Sequence, residues 1–455
     1  MKIERSERDA RKNDAEVKRR QEVALGRRRV VLGALAFWAS GTGKRIAQIF
    51  ANDGTQLADL KEVANRNAKK KKSAEPVDWF REDWNFDVES FSLPASALEA
   101  VDATLEALAA RLNDDGSFGC ASELFGRDPG VAGLCGLAFL GAGSLPGRGR
   151  FGRELEKITD YISSRSFDAK TNRETHDDVV NYLRKNELSA EEIDGLIVDF
   201  REKGGKSMYG HGFATLFLAS ILGATERSEV RERVRAAVEL LVRTQNADGG
   251  WRYEPKRVPV ADVSVTVCQL SALRAARDAG VFVPNATIEN AVGYVKKCQN
   301  ADGGFRYMTL DGPSGIARTA AAILALQAGA EDDSEAVARA FRYLEKAAPL
   351  APALNVKRLD KTSYDVIDEI PRLPTSRIEY YFYGEFYAAL AYWRSARDTA
   401  SKERWARWAR RAYPNLLARR GDDGLWRSNV SVDAETALVL CALLVPFERT
   451  PFFLR

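Results

Sequence analysis

The chain has 455 residues, of which 45% are hydrophobic and 29% charged, a balance that excludes a disordered chain and a bundle of membrane spans. A net charge of +4, spread evenly beyond the N-terminus, gives no basis for nucleic acid as a partner. Five cysteines with no CxxC spacing argue against a disulfide framework or a cysteine-built zinc site, and only two histidines, His176 and His211, are present. No metal and no cofactor are therefore expected.

Residues 1–50 open with a charged stretch of basic excess and lead into "GRRRVVLGALAFWASG". The apolar run from Val30 to Ala39 is too short to span a bilayer as a helix but matches the h-region of an export signal, and its arginines resemble a twin-arginine start. Lys44 and Arg45 follow closely, and no small-x-small cleavage site is evident. Two readings stay open: export or membrane tethering through this segment, or a plain amphipathic helix on a cytoplasmic protein. "GTGK" at Gly41 lacks the Walker spacing. Residues 51–94 read as a linker, with "KKKK" as a solvated charge run.

From residue 95 to 450 the chain repeats itself. "QNADGGWRYEP" begins at Gln245 and "QNADGGFRYMT" at Gln299, and weaker copies occur as "NDDGSF" at Asn113, "IDGLI" at Ile193 and "GDDGLW" at Gly421. Asp194, Asp248 and Asp302 fall at equal intervals, about the length of two helices and their connections. A sixth unit between Asp302 and Asp423 has lost the turn. An amphipathic helix precedes each turn, as in "RERVRAAVELLVRTQ" from Arg231, and a far more apolar one follows, as in "VSVTVCQLSAL" from Val263. Six half-exposed helices alternating with six buried ones predict an all-α fold, an α/α toroid built as a double ring of six helix pairs. In the turn, glycine permits the helix stop, Asp bonds nearby amides, and the aromatic residue (Phe118, Trp251, Phe305, Trp426) pins the chain.

These turns resemble the QW repeats of squalene–hopene cyclases and the related turns of protein prenyltransferase β subunits. "MYGHGFATLFLA" from Met208 is similar to bacterial prenyltransferase and squalene-oxidase repeat proteins. The resemblance implies the toroid fold and a central cavity for an isoprenoid or another apolar small molecule. It also implies a test. Class II cyclases of that family protonate with the middle carboxylate of Asp-x-Asp-Asp-Thr, and here the corresponding run is Asp262-Val263-Ser264-Val265-Thr266. Ser264 stands where the acid would be, and a serine hydroxyl cannot protonate an alkene. Val432-Asp433-Ala434-Glu435-Thr436 keeps two carboxylates, but residues two apart on a helix diverge by roughly 200°. The Asp-x-Cys pair of zinc prenyltransferases and the Cys-Gly-Glu-Gln run of thioester toroids are both missing.

The starts of the inner helices should gather at one mouth of the ring. The candidate catalytic residues there are His211, Asp262, Asp433 and Glu435, and the candidate cavity residues are Tyr209, Ser264, Arg318, Tyr383, Glu385 and Phe386. His211 reads either as a general base or as a hydrogen-bonded structural residue. Arg318 reads either as a cation for a carboxylate or phosphate, or as a bridge to Asp262 or Glu385. Asp433 and Glu435 read as acids or as charges that favour a helix N-terminus. The aromatic run "RIEYYFYGEFYAALAYW" from Arg377 lines a pocket or fills the core. The functional expectation is a terpenoid-cyclase-like or prenyl-binding toroid without an intact acid motif, with catalysis left undecided. The alternatives are a non-catalytic scaffold or interaction module and, with less support, a glycan hydrolase or lyase, which would need paired carboxylates.

Overall fold

Gly249, in the turn that follows an outer helix, has φ at +99°, a backbone conformation that side chains disfavour. A Cβ at this position would also collide with the backbone carbonyl of Asn290 in the next outer helix. Gly303 repeats the arrangement against Arg339, Gly195 against Ala236 and Gly116 against Lys157. The glycine is thus both a left-handed turn residue and a point of backbone contact between successive repeats. Gln245 reinforces that contact by donating from Nε2 to the carbonyls of Gly249 and of Thr287, both at 2.8 Å. Gln299 does the same to Gly303 and Ala336.

The structure is a computed structural model that describes residues 77–120, 125–171, 177–201, 207–347, 380–427 and 430–453. The N-terminal segment, most of the linker, His176, the start of the aromatic run and the connection within the sixth unit lie outside the described residues. Numbered in chain order, the outer helices are α1 (Ala95–Ala109), α3 (Gly152–Ser164), α6 (Ser228–Thr244), α8 (Asn285–Lys297), α10 (Glu335–Ala347) and α12 (Thr399–Ala418). The inner helices are α2 (Pro129–Gly141), α5 (Ser207–Ile221), α7 (Val263–Asp278), α9 (Ile316–Ala328), α11 (Tyr381–Ser395) and α13 (Val432–Leu444). Among the described residues β structure is limited to isolated bridges such as Gln299 with Phe305. No helix among them is long and apolar enough to cross a membrane.

Burial separates the two rings. On α10 only Val337, Ala340, Phe341 and Leu344 are buried, one stripe at helical spacing, whereas every residue of α2 is buried. Each inner helix packs on the next in the order α2, α5, α7, α9, α11, α13, and α13 returns to α2. At that seam Cys135 Sγ lies 3.8 Å from the Asp433 carbonyl and Cys441 Sγ 4.0 Å from that of Leu134. Closure means that no inner helix is left with an unpaired apolar face. The double ring predicted from the alternation of helices is therefore the observed architecture.

Two features depart from the sequence reading. α4 (Asp177–Asn186) is an extra helix between α3 and α5, with only Val179 buried. Residues 84–93, placed in the linker by their position, instead pack on the toroid. Phe86, Val88 and Leu93 are buried, and the Phe86 and Phe91 rings meet Trp405 of α12 at 6.2 and 5.5 Å. A short aromatic arm between turns carries no periodicity, so its packing is invisible in sequence.

The glycine contact can be checked by unfolding. Gly249→Ala is expected to lower stability by about 3 kcal/mol or more, since strain and collision add. Gly293→Ala, inside α8 with nothing near its would-be Cβ, should be neutral or stabilising by up to about 1 kcal/mol. Equal urea midpoints for the two variants would contradict this account of the turn.

Candidate functional site

The inner-helix starts are organised by the turns that precede them. The amides of Trp251, Phe305 and Trp426 donate to the hydroxyls of Thr266, Thr319 and Thr436 at 3.1, 2.9 and 3.0 Å. In the second unit the equivalent amide, Ile197 N, donates to His211 Nδ1 at 3.1 Å. His211 therefore takes the place that threonine holds in three other repeats. It is fully buried, and burial pulls its pKa down to about 3. The imidazole is neutral, with Nδ1 engaged as the acceptor for a turn amide.

Asp262 is the N-cap of α7. Its Oδ1 accepts from the amides of Ser264 and Val265 at 2.7 and 3.4 Å and from Ser264 Oγ at 2.6 Å. Its Oδ2 accepts from the Tyr253 hydroxyl at 2.8 Å, and Tyr253 in turn bonds the Tyr307 hydroxyl. Burial raises the Asp262 pKa above the ordinary carboxylate value, and these hydrogen bonds oppose the rise. Tyr253 and Tyr307 occupy the same place in their repeats, two residues after the turn aromatic. Their carbonyls accept from Met208 N and Val263 N, at 3.1 and 3.0 Å, and so tie each turn to the start of the preceding inner helix.

Ser264 Oγ also lies 2.5 Å from the Tyr209 hydroxyl. With the serine proton directed at Asp262, Tyr209 is the donor in that pair. Tyr209, on α5, is within electrostatic reach of Tyr383 on α11, the inner helix opposite it in the ring, and Tyr387 senses both Tyr209 and Cys268. The rings of Tyr383 and Tyr387 lie 4.6 Å apart. Burial raises the pKa of all three phenols well above the usual value, so they remain protonated. Contacts thus join Tyr209 to Ser264 and to Cys268, whose Sγ lies 3.8 Å from the Tyr209 carbonyl, and separately Tyr383 to Tyr387.

Residues 214–352 match the squalene–hopene cyclase C-terminal domain. The likeness to the terpenoid-cyclase toroids holds over that stretch, which includes both Gln-x-x-Asp-Gly-Gly turns and the Asp262–Thr266 run. No curated protein matches the chain. Among solved structures, a protein from Actinoplanes shares 17% identity, covering 76% of this chain and 98% of its own, at a TM-score of 0.44. A wild-type glycosidase shares 15%, covering 77% and 98%, at 0.42.

The remaining candidates have partners of their own or lie in the core. Asp433, buried in the first turn of α13, is paired with Arg111 just past the end of α1. Glu435 is buried two residues further on. Glu385 faces outward: its carboxylate accepts from Trp408 Nε1 at 3.0 Å and meets Arg411 of α12 at 3.4 Å. Phe386 is core, packed between Tyr387 and Phe452. Arg318 bridges to neither Asp262 nor Glu385, because its guanidinium donates to the backbone carbonyls of Pro313 and Phe305 at 3.0 and 3.5 Å. Sequence reasoning overlooked Tyr253, Tyr307, Tyr387 and Cys268. The Arg-Tyr that follows both strong turns was the available signal for the first two.

His211 yields a pH prediction. Its folded pKa of about 3 lies below the reference value of 6.5, so between those values the unfolded chain binds a proton that the folded chain does not. Its contribution is complete above pH 6.5 and is lost as pH falls toward 3, at about 1.4 kcal/mol per pH unit. His211→Thr should retain the fold and flatten that part of the stability–pH curve. His211→Leu, which leaves the Ile197 amide unpaired, should cost about 1–3 kcal/mol at neutral pH. Identical pH slopes for wild type and His211→Thr would refute the assignment.

Proposed function

We propose that the ring interior binds an apolar small molecule of the isoprenoid class and does not protonate it. The observation that carries this reading is Ser264. Aligned on Thr266, it stands where the cyclase resemblance puts the acid, and its hydroxyl is engaged by Asp262 and Tyr209. Asp262, the nearest carboxylate, is fully buried and accepts four hydrogen bonds, two of them from backbone amides. Neither group is a free strong acid. The phenol rings of Tyr209, Tyr383 and Tyr387 offer flat apolar faces and weak polar edges, surfaces that suit an unsaturated hydrocarbon chain. A protein built this way binds and shields such a chain and leaves its double bonds intact.

Native mass spectrometry and tyrosine or tryptophan fluorescence of the full chain titrated with squalene and farnesol provide the test. A saturable signal is expected, and Tyr383→Ala should weaken it by about tenfold, the loss of one aromatic contact worth ~1 kcal/mol or more. Absence of binding to either compound would remove the reading. Cyclised product that disappears in Asp262→Asn would show instead that Asp262 is an acid after all.

A further inference from the structure

Away from the ring centre, three arginines converge on a single carboxylate. Asp199, in the turn before α5, is 2% exposed. Arg201 holds it with two parallel hydrogen bonds, Nε to Oδ1 at 2.8 Å and Nη2 to Oδ2 at 2.6 Å, and adds its own amide to Oδ1 at 3.1 Å. The Tyr161 hydroxyl lies 3.3 Å from Oδ2. The Tyr161 proton goes to the Arg127 carbonyl, and the three Arg201 bonds satisfy the carboxylate. Burial alone would raise the Asp199 pKa, but the hydrogen bonds from Arg201 outweigh it and hold the value below the ordinary one.

Arg127 and Arg165 are nevertheless brought to the same place. Their Nε atoms stand 3.7 and 3.6 Å from Asp199 Oδ2, beyond hydrogen-bond distance, and both Nε atoms are buried without an acceptor. Arg127 also pairs with Asp115, and Arg165 lies over the Tyr161 ring at 5.0 Å. Among the described residues, three guanidinium groups therefore share two carboxylates, Asp115 and Asp199, at a partly buried position, where like charges repel more strongly than in water.

The backbone is strained to produce this arrangement. Arg127 has φ at +65° and Phe125 at +58°, each at a cost of about 1–3 kcal/mol. Arg127 is pinned by its amide to the Phe118 carbonyl at 2.7 Å and by its own carbonyl, which accepts from Tyr161. A simple ion pair for Asp199 needs only Arg201, so neither the strain nor the two extra cations are explained by it.

We infer that Arg127, Arg165 and Arg201 form a binding site for a small oxyanion, a phosphate or a carboxylate. Their side chains stay 21%, 28% and 46% exposed, so an anion can approach the guanidinium groups, whose planar donors suit such anions, from solvent. Asp199 serves as the positioning residue that keeps the three groups together. The site is independent of the ring interior and of what the interior binds.

The probe is inorganic phosphate added to the full chain, with ionic strength held constant by potassium chloride and acetate as a second arm. Phosphate should raise the melting temperature saturably beyond the chloride control, and the stronger of phosphate and acetate assigns the anion class. Arg165→Met keeps the packing stem and should weaken the affinity by about tenfold or more, one charge-assisted hydrogen bond. In phosphate-free buffer the variant should melt no lower than wild type, since it relieves repulsion. A structural ion-pair network predicts the opposite: a lower melting temperature for Arg165→Met and no anion response. Wild type indifferent to both anions, or equal affinity in the variant, would overturn the site.

Discussion

The architecture depends on a backbone contact that only glycine permits. Where an outer helix stops, the left-handed glycine lies against the carbonyl of the next outer helix, and a glutamine side chain braces both. This couples each repeat to its successor at a fixed spacing. The contact recurs at Gly116, Gly195, Gly249 and Gly303, and the ring of inner helices closes where α13 packs on α2. The hydrophobic effect supplies the driving force for burying them, but it has no direction. The turn supplies the direction.

The same turns determine what the inner helices can present. A helix start leaves amide donors unsatisfied, and here side chains at the mouth answer that need: Asp128 caps α2, Asp262 caps α7 and Ser431 caps α13. Thr266, Thr319, Thr436 and His211 serve the turn amides. Polar groups that look chemical in a one-dimensional reading are thus largely occupied by backbone. What remains toward the centre is phenolic, with one serine and one thiol. The Arg127–Arg165–Arg201 group differs in kind, because there three guanidinium groups converge on one buried carboxylate.

Much of the fold was legible beforehand. The alternation of striped and uniformly apolar helices is a property of local sequence, and six such pairs admit few arrangements that bury all the apolar faces. The candidate site was legible only in part. His211 looked like a base because it is one of two histidines beside a glycine, and its equivalence to threonine appears only when the turn amides are superposed. Glu385 looked like a lining residue because its helix starts at the mouth, but helical rotation aims it at Trp408 and Arg411. The aromatic arm at 84–93 and helix α4 are irregular additions that follow no period.

By itself the sequence determined the kind of element at each place and the repeat that links the elements, because both rest on residue type and spacing along the chain. Only the tertiary structure decided which side of a helix each polar group faces, that three distant arginines meet at Asp199, and that Tyr209 and Tyr383 approach from opposite inner helices. Those outcomes come from packing between segments far apart in the chain, where a rotation of one helix exchanges lining for core.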